Sequence, residues 1–86
     1  MGKSMRRYYF DVRDDNNLQT DSEGRDFSSF EAVQDEATVS LAELALDAMA
    51  KRGADHRMSI EVRDDLGPVL KVNCAFEIER LQRSDG

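Results

Sequence analysis

One long helical segment constrains the fold of this chain more than any other feature. Residues 29–52 place apolar side chains three and four positions apart, which predicts a single helix of roughly 36 Å. Ser28 is the predicted N-cap, and Glu31, three residues later, completes a capping box. Gly53 follows a basic last turn and is the predicted stop. Since such a helix must bury one face, the rest of the chain has to supply a surface for it.

Segments of alternating apolar and polar residues on either side of the helix supply that surface. Full strands are predicted at Arg6–Arg13, His56–Arg63 and Pro68–Ile78, with a hairpin turn between the last two, and a short strand at Leu18–Thr20. The predicted fold class is therefore α+β, with a single long helix packed on one face of a small antiparallel sheet and strand–strand–helix–strand–strand order. The sheet residues predicted to face the helix are Tyr8, Phe10, Val12, Ile60, Val62, Leu70, Val72, Cys74 and Phe76.

The length of 86 residues predicts one domain, because a chain this short cannot build two independent cores. Residues 6–80 are predicted to form that domain. Residues 1–5 are predicted to be a disordered N-terminal segment, and residues 81–86 a flexible tail.

The charge balance and the scarce cysteine exclude several functional classes. Eighteen acidic residues against twelve basic ones give a net charge of −6, which argues against nucleic acid as a partner. No apolar run approaches the ~20 residues needed to cross a membrane. The single cysteine, Cys74, cannot form an internal disulfide, which predicts a cytoplasmic protein. With only His56 to accompany it, a structural zinc site is excluded.

No group of residues has the pattern of a catalytic, cofactor or metal site. Cys74 falls between apolar neighbours of its strand and is interpreted as a small buried hydrophobe. The acidic loop from Asp15 alternates like a calcium loop, but Thr20 and Asp26 stand where glycine and glutamate are required. The sequence therefore predicts that this protein is not an enzyme and carries no cofactor.

The predicted helix has more apolar surface than one sheet face can cover. The stripe predicted to face the sheet consists of Phe30, Val33, Ala37, Leu41, Leu44 and Ala48. A second set lies off this stripe and is the predicted interface with a second copy or another protein: Val39, Ala42, Leu46 and Met49. The alternative is that the tail around Leu81 folds back over this second set.

The polar face of the sheet is a second candidate surface. Tyr9 points away from Tyr8 and Phe10, and an exposed tyrosine beside arginine can stack on a base or contact a partner. The alternative is a cross-strand packing contact. The residues that would bind a small ligand or nucleic acid there are Arg7, Tyr9, Arg13 and Lys71.

Several segments together resemble a known family. The opening RYYFDV at 7–12 is followed by Asp21-Ser22-Glu23-Gly24, by glutamate–alanine pairs in the helix and by IEVRD at 60–64. This combination resembles a family of short uncharacterised bacterial proteins, common in alphaproteobacteria, with an Arg-Tyr-Phe-Phe-like opening strand, Asp-x-x-Gly and a Glu-Ala-rich helix. The resemblance extends from about Arg6 to Phe76 and implies no functional residue. A fainter likeness, a hairpin before an alanine-rich helix, is to antitoxins of the HicB type.

The function favoured by these observations is a small non-catalytic interaction or regulatory module that self-associates through its helix. The first alternative is a binder of small ligands or nucleic acid on the open sheet. The second is an antitoxin-like regulator of the HicB type, which is a special case of the interaction module.

Overall fold

The computed structural model describes residues 4–52 and 56–82. The elements in chain order are β1 (Arg6–Asp14), β2 (Asn17–Gln19), β3 (Arg25–Phe27), α1 (Phe30–Arg52), β4 (His56–Asp64) and β5 (Gly67–Phe76). The strands form one antiparallel sheet of order β2-β1-β4-β5, and β3 also pairs with β1. The predicted α+β class is confirmed. The predicted helix stop at Gly53 and the termini at 1–3 and 83–86 lie outside the described residues.

The two central strands build the core through the predicted alternation. Phe10 stands opposite Val62, and Val12 opposite Ile60, in the register of β1 and β4. Ile60 and Val62 are almost fully buried. The turn that joins β4 to β5 ends at Gly67, whose φ of 131° favours glycine. Hydrophobic alternation therefore located this part of the sheet correctly.

The segment before the helix contains a strand that the sequence did not predict. Arg25–Phe27 pairs with the beginning of β1, where Arg6 stands opposite Phe27. The Phe27 ring lies 6.0 Å from the Tyr8 ring and 5.6 Å from the Phe10 ring, centroid to centroid. β2 begins one residue earlier than predicted, and β5 ends at Phe76 rather than at Ile78.

The helix begins one residue later than predicted, and its N-cap is Ser29, not Ser28. The Ser29 hydroxyl accepts a hydrogen bond from the Ala32 amide at 3.1 Å. Glu31 therefore does not occupy the capping-box position relative to the true N-cap. The prediction was wrong because two adjacent serines satisfy the same local pattern.

The helix packs on β3, β4 and β5 through a stripe that differs from the predicted one. Phe30 and Leu44 were predicted to face the sheet but are 46% and 36% exposed, while Ala45 is buried instead. Phe30 is the first residue of α1, at the end of the buried stripe. The buried helix residues are Val33, Ala37, Leu41, Ala45 and Ala48.

The helix-facing side of β5 is only half buried because β5 is an edge strand. Cys74 was predicted to be buried. It lies on the predicted face and packs against the core, but its side chain is half buried. The other half-buried residues of this row are Leu70, Val72 and Phe76.

Candidate functional site

Two surfaces carry the residues that the sequence singled out. The first, called the open face here, is the side of the sheet opposite the helix. Its side chains are Arg7, Tyr9, Asp11 and Arg13 of β1, Arg57, Ser59, Glu61 and Arg63 of β4, and Lys71 and Asn73 of β5. The second, called the outward stripe, consists of Val39, Ala42, Leu46 and Met49 of α1.

Arg63 contacts three other residues on or beside the open face. Its Nε donates to Asp11 Oδ2 at 2.9 Å, and its Nη2 donates to the Asp21 carbonyl at 2.8 Å. Its guanidinium carbon lies 4.5 Å from the centroid of the Tyr9 ring. Tyr9 is consequently half buried under a cation from the neighbouring strand, which is the cross-strand packing contact predicted as the alternative. We call these four residues the Arg63 network.

Asp21 lies beside β1, between the part of β1 that pairs with β2 and the part that pairs with β3. Its Oδ2 accepts a hydrogen bond from the Phe10 amide, and its Oδ1 accepts from the Glu23 and Gly24 amides, each at 3.1 Å. Its own amide donates to Asp11 Oδ1 at 2.9 Å. Burial alone would raise the pKa of Asp21, but these amide donors outweigh burial and hold its pKa below the ordinary value.

Gly24 lets this loop lie directly against β1. Its φ is 73°, and a Cβ built on it would stand 2.9 Å from the Tyr8 carbonyl oxygen and from two ring carbons of Tyr9. Any larger residue would be strained in backbone and in packing. The Asp21-x-x-Gly24 pattern thus has a structural role, since the carboxylate caps the amides and the glycine permits the close approach.

Three of the four predicted open-face binding residues are engaged within the chain. Arg7 binds Asp26 through Nε at 3.0 Å, and hydrogen bonding to that carboxylate raises the pKa of Arg7. Arg13 Nε lies 2.7 Å from Glu61 Oε2, and this hydrogen bond lowers the pKa of Glu61. Tyr9 belongs to the Arg63 network. The remaining one, Lys71, is exposed.

The open face is also drier than predicted. Asp11 and Ser59 lie on this polar face, yet they are only 8% and 5% exposed. Long neighbouring side chains cover them, since Arg63 lies on Asp11 and the cross-strand neighbours of Ser59 are Arg13 and Asn73. The alternation of polar and apolar residues does not show that long arginine side chains can bury the polar residues beside them.

The outward stripe is apolar and largely exposed. Val39 is 54% and Leu46 is 68% exposed, Ala42 is exposed, and Met49 is half buried. The alternative in which the tail covers this stripe is not what the structure contains, because Leu81 is 83% exposed. Acidic side chains border the stripe, including Asp47, which pairs with Lys51 at 3.2 Å.

Within residues 4–52 and 56–82, no group of three or more histidine, cysteine, aspartate or glutamate side chains could hold a metal ion. Among the described residues, no helix combines the length and the apolar character needed to span a membrane.

The Arg63 network was missed by sequence reasoning because it depends on strand register. Arg63 stands opposite Tyr9, and Asp11 stands opposite Glu61, so the Arg63–Asp11 contact crosses the ladder diagonally. The one available signal was the Asp21-x-x-Gly24 pattern, which the resemblance had already drawn attention to. No local pattern indicated which side chains that aspartate would contact.

The sequence profile of a domain of unknown function (DUF6894) matches residues 7–75. This match covers most of the chain, so the protein belongs to that family. The matched region extends from Arg7 in β1 to Ala75 near the end of β5, and it therefore includes the Arg63 network, the helix and both hairpin strands. Neither the curated proteins nor the solved structures contain a significant match to the chain.

Proposed function

We propose that this protein is a small non-catalytic interaction module of the alphaproteobacterial cytoplasm, and that it forms a homodimer through the outward stripe. The observation that carries this proposal is the exposure of Val39 and Leu46 on a helix whose opposite face packs on the sheet. A cytoplasmic location is supported by the presence of a single cysteine in the sequence.

The two apolar rows of the helix lie on opposite sides. Leu46 follows Val33 by thirteen positions, which places it about 220° further around the axis at 3.6 residues per turn. Val33 is completely buried, whereas Leu46 is 68% exposed. A surface helix needs only one apolar face, so a second one indicates a second packing partner.

A second copy fits this stripe because the stripe is self-complementary about Ala42. In an antiparallel two-fold pairing, Val39 of one protomer lies opposite Leu46 of its partner, and the small Ala42 lies near the axis. Two-fold symmetry is also the commonest arrangement among soluble oligomers.

The expected affinity is modest. Val39 and Leu46 from two copies would contribute roughly 6–12 kcal/mol of apolar burial, while association costs about 4–15 kcal/mol in lost freedom. At the most favourable ends of these ranges the balance is about 8 kcal/mol, so the expected dissociation constant is micromolar or weaker. Such a dimer is reversible, which suits a regulatory module.

The test is to measure the mass of Leu46→Glu by light scattering at ~10 μM to ~1 mM, a range that brackets such an affinity. Wild type should approach twice the 9.8 kDa of the chain as concentration rises, and the variant should stay at the monomer mass with an unchanged circular dichroism spectrum. Gln34→Glu adds the same charge at an exposed helix position outside the stripe and should behave like wild type. A wild type that stays monomeric throughout this range would refute the homodimer.

The alternative of a ligand or nucleic-acid binder using Arg7, Tyr9 and Arg13 has weaker support. These side chains already contact Asp26, Arg63 and Glu61, so fewer of their polar groups are left for a ligand. The HicB-type alternative is a special case of the module proposed above. It would require a toxic protein encoded next to this one that binds the outward stripe.

A further inference from the structure

The open face also contains a depression around Ser59, and no residue of the Arg63 network lines it. Its volume is about 410 Å³, and its polar lining includes Arg13, Arg57, Lys71, Ser59 and Asn73. The strand registers place Ser59 between Arg13 of β1 and Asn73 of β5 in one row across the sheet. The depression lies on the side of the sheet opposite the helix, so it is independent of the outward stripe.

The charges around this depression run against the overall charge of the protein. Three cations line it, together with the carboxylate of Asp15. Glu61 adjoins it and accepts only the Nε of Arg13 among the hydrogen bonds of the described residues, so the terminal guanidinium nitrogens of Arg13 remain available. Cations therefore outnumber carboxylates here, in a chain whose net charge is −6.

We propose that this depression binds the phosphate group of a small molecule. Two guanidinium groups and an ammonium supply charge-assisted donors, and the Asn73 amide and the Ser59 hydroxyl add neutral ones. A phosphate has enough acceptor oxygens to use several of these donors at once. Ser59 lines the depression and is only 5% exposed, so it forms part of its floor.

A small phosphate compound fits this site better than a nucleic acid does. A polyanion would extend beyond the depression over a strongly acidic molecule and be repelled along its length. A small dianion contacts the cations directly, and salt screens the more distant carboxylates beyond a Debye length of about 8 Å.

The test is a titration of the full chain with inorganic phosphate at constant ionic strength, followed by ¹⁵N–¹H correlation spectra. We expect saturable shifts that are largest at the amides of Arg57, Ser59, Lys71 and Asn73. The double variant with Arg57→Gln and Lys71→Gln should bind about tenfold or more weakly, which corresponds to the loss of two charge-assisted contacts. Both residues are exposed, so the double variant should fold, and its own spectrum will check this directly.

Lys51→Gln is the matched control, because it removes one exposed positive charge from the helix on the opposite side of the sheet. It should leave the phosphate affinity unchanged. Shifts that do not saturate, or an equal weakening in Lys51→Gln and in the double variant, would show general ion screening and overturn the proposal. Glycerol 3-phosphate should bind at least as tightly as inorganic phosphate, and failure of the ester to bind would refute a site for phosphorylated small molecules.

Discussion

The open face of the sheet and the outward stripe of the helix are both solvent-facing, but the chain treats them in opposite ways. On the open face, Arg7, Arg13 and Arg63 each have a carboxylate partner at 3.0 Å or less. On the helix, Val39 and Leu46 have no comparable cover within the described part of the chain. The arginines of the open face are therefore paired within the chain, whereas the apolar side chains of the outward stripe stay largely exposed.

The largest expected effect comes from breaking the Arg63 network. Arg63→Met keeps an apolar stem of similar length but removes the guanidinium from Asp11, which is only 8% exposed. A largely buried carboxylate without its cation is costly, so we expect a loss of about 2–3 kcal/mol in the free energy of unfolding, measured with urea.

Arg57→Met is the control for this prediction. It removes an arginine from the same strand and the same face, but from an exposed position, and should change the free energy of unfolding by less than about 0.5 kcal/mol. If the two variants have the same stability, the Arg63 network is an ordinary surface ion pair and the contrast between the two surfaces disappears.

The helix allows the same substitution to be made on both of its faces. Val33→Ala creates a cavity at a fully buried position and should cost about 2 kcal/mol. Val39→Ala, at a position 54% exposed, should change the stability of the monomer by less than about 0.5 kcal/mol and instead weaken self-association. Dilute urea unfolding reports the first effect, and sedimentation reports the second. A large loss of monomer stability in Val39→Ala would mean that the stripe packs within its own chain.

Features that depend on local sequence pattern could be predicted, and features that depend on tertiary contacts could not. Ile60 and Val62 were placed correctly because alternation in a central strand is decided by local pattern. Ala45 was missed because the exact face of a helix depends on how closely it approaches the sheet. β3 was missed because Arg25-Asp26-Phe27 is too short to show a period, and its strand conformation depends on pairing with β1.

The candidate functional residues also differ in how far the sequence predicts their surroundings. Val39 and Leu46 lie off the sheet, as predicted, because an apolar surplus on a helix can be counted from the sequence. The ion pairs of Arg7 and Arg13 were not predicted, because whether a charged side chain is paired depends on which residue lies opposite it in the sheet. Asp26 and Glu61 are 19 and 48 residues away from their partners, so no local rule could have supplied those pairs.

The smallest expected effect is on the acid dependence of stability, which concerns the open face alone. The pKa of Asp21 is held below its ordinary value because the amide donors of Phe10, Gly24 and Glu23 outweigh the effect of burial, and the hydrogen bond from Arg13 lowers the pKa of Glu61. A lowered folded-state pKa contributes stability above the unfolded-state pKa, and that contribution is lost as pH falls through the folded-state value. The free energy of unfolding should thus be flat above about pH 5 and fall below about pH 4.

Asp21→Asn should be less stable than wild type at pH 7. Its stability curve should converge on the wild-type curve in acid, because the asparagine has no proton to gain. Ser22→Ala perturbs the same loop without removing a carboxylate and should keep the wild-type slope. Parallel curves for Asp21→Asn and wild type, measured by urea unfolding from pH 7 to pH 3, would show that the amides of this loop do not depend on the charge of Asp21.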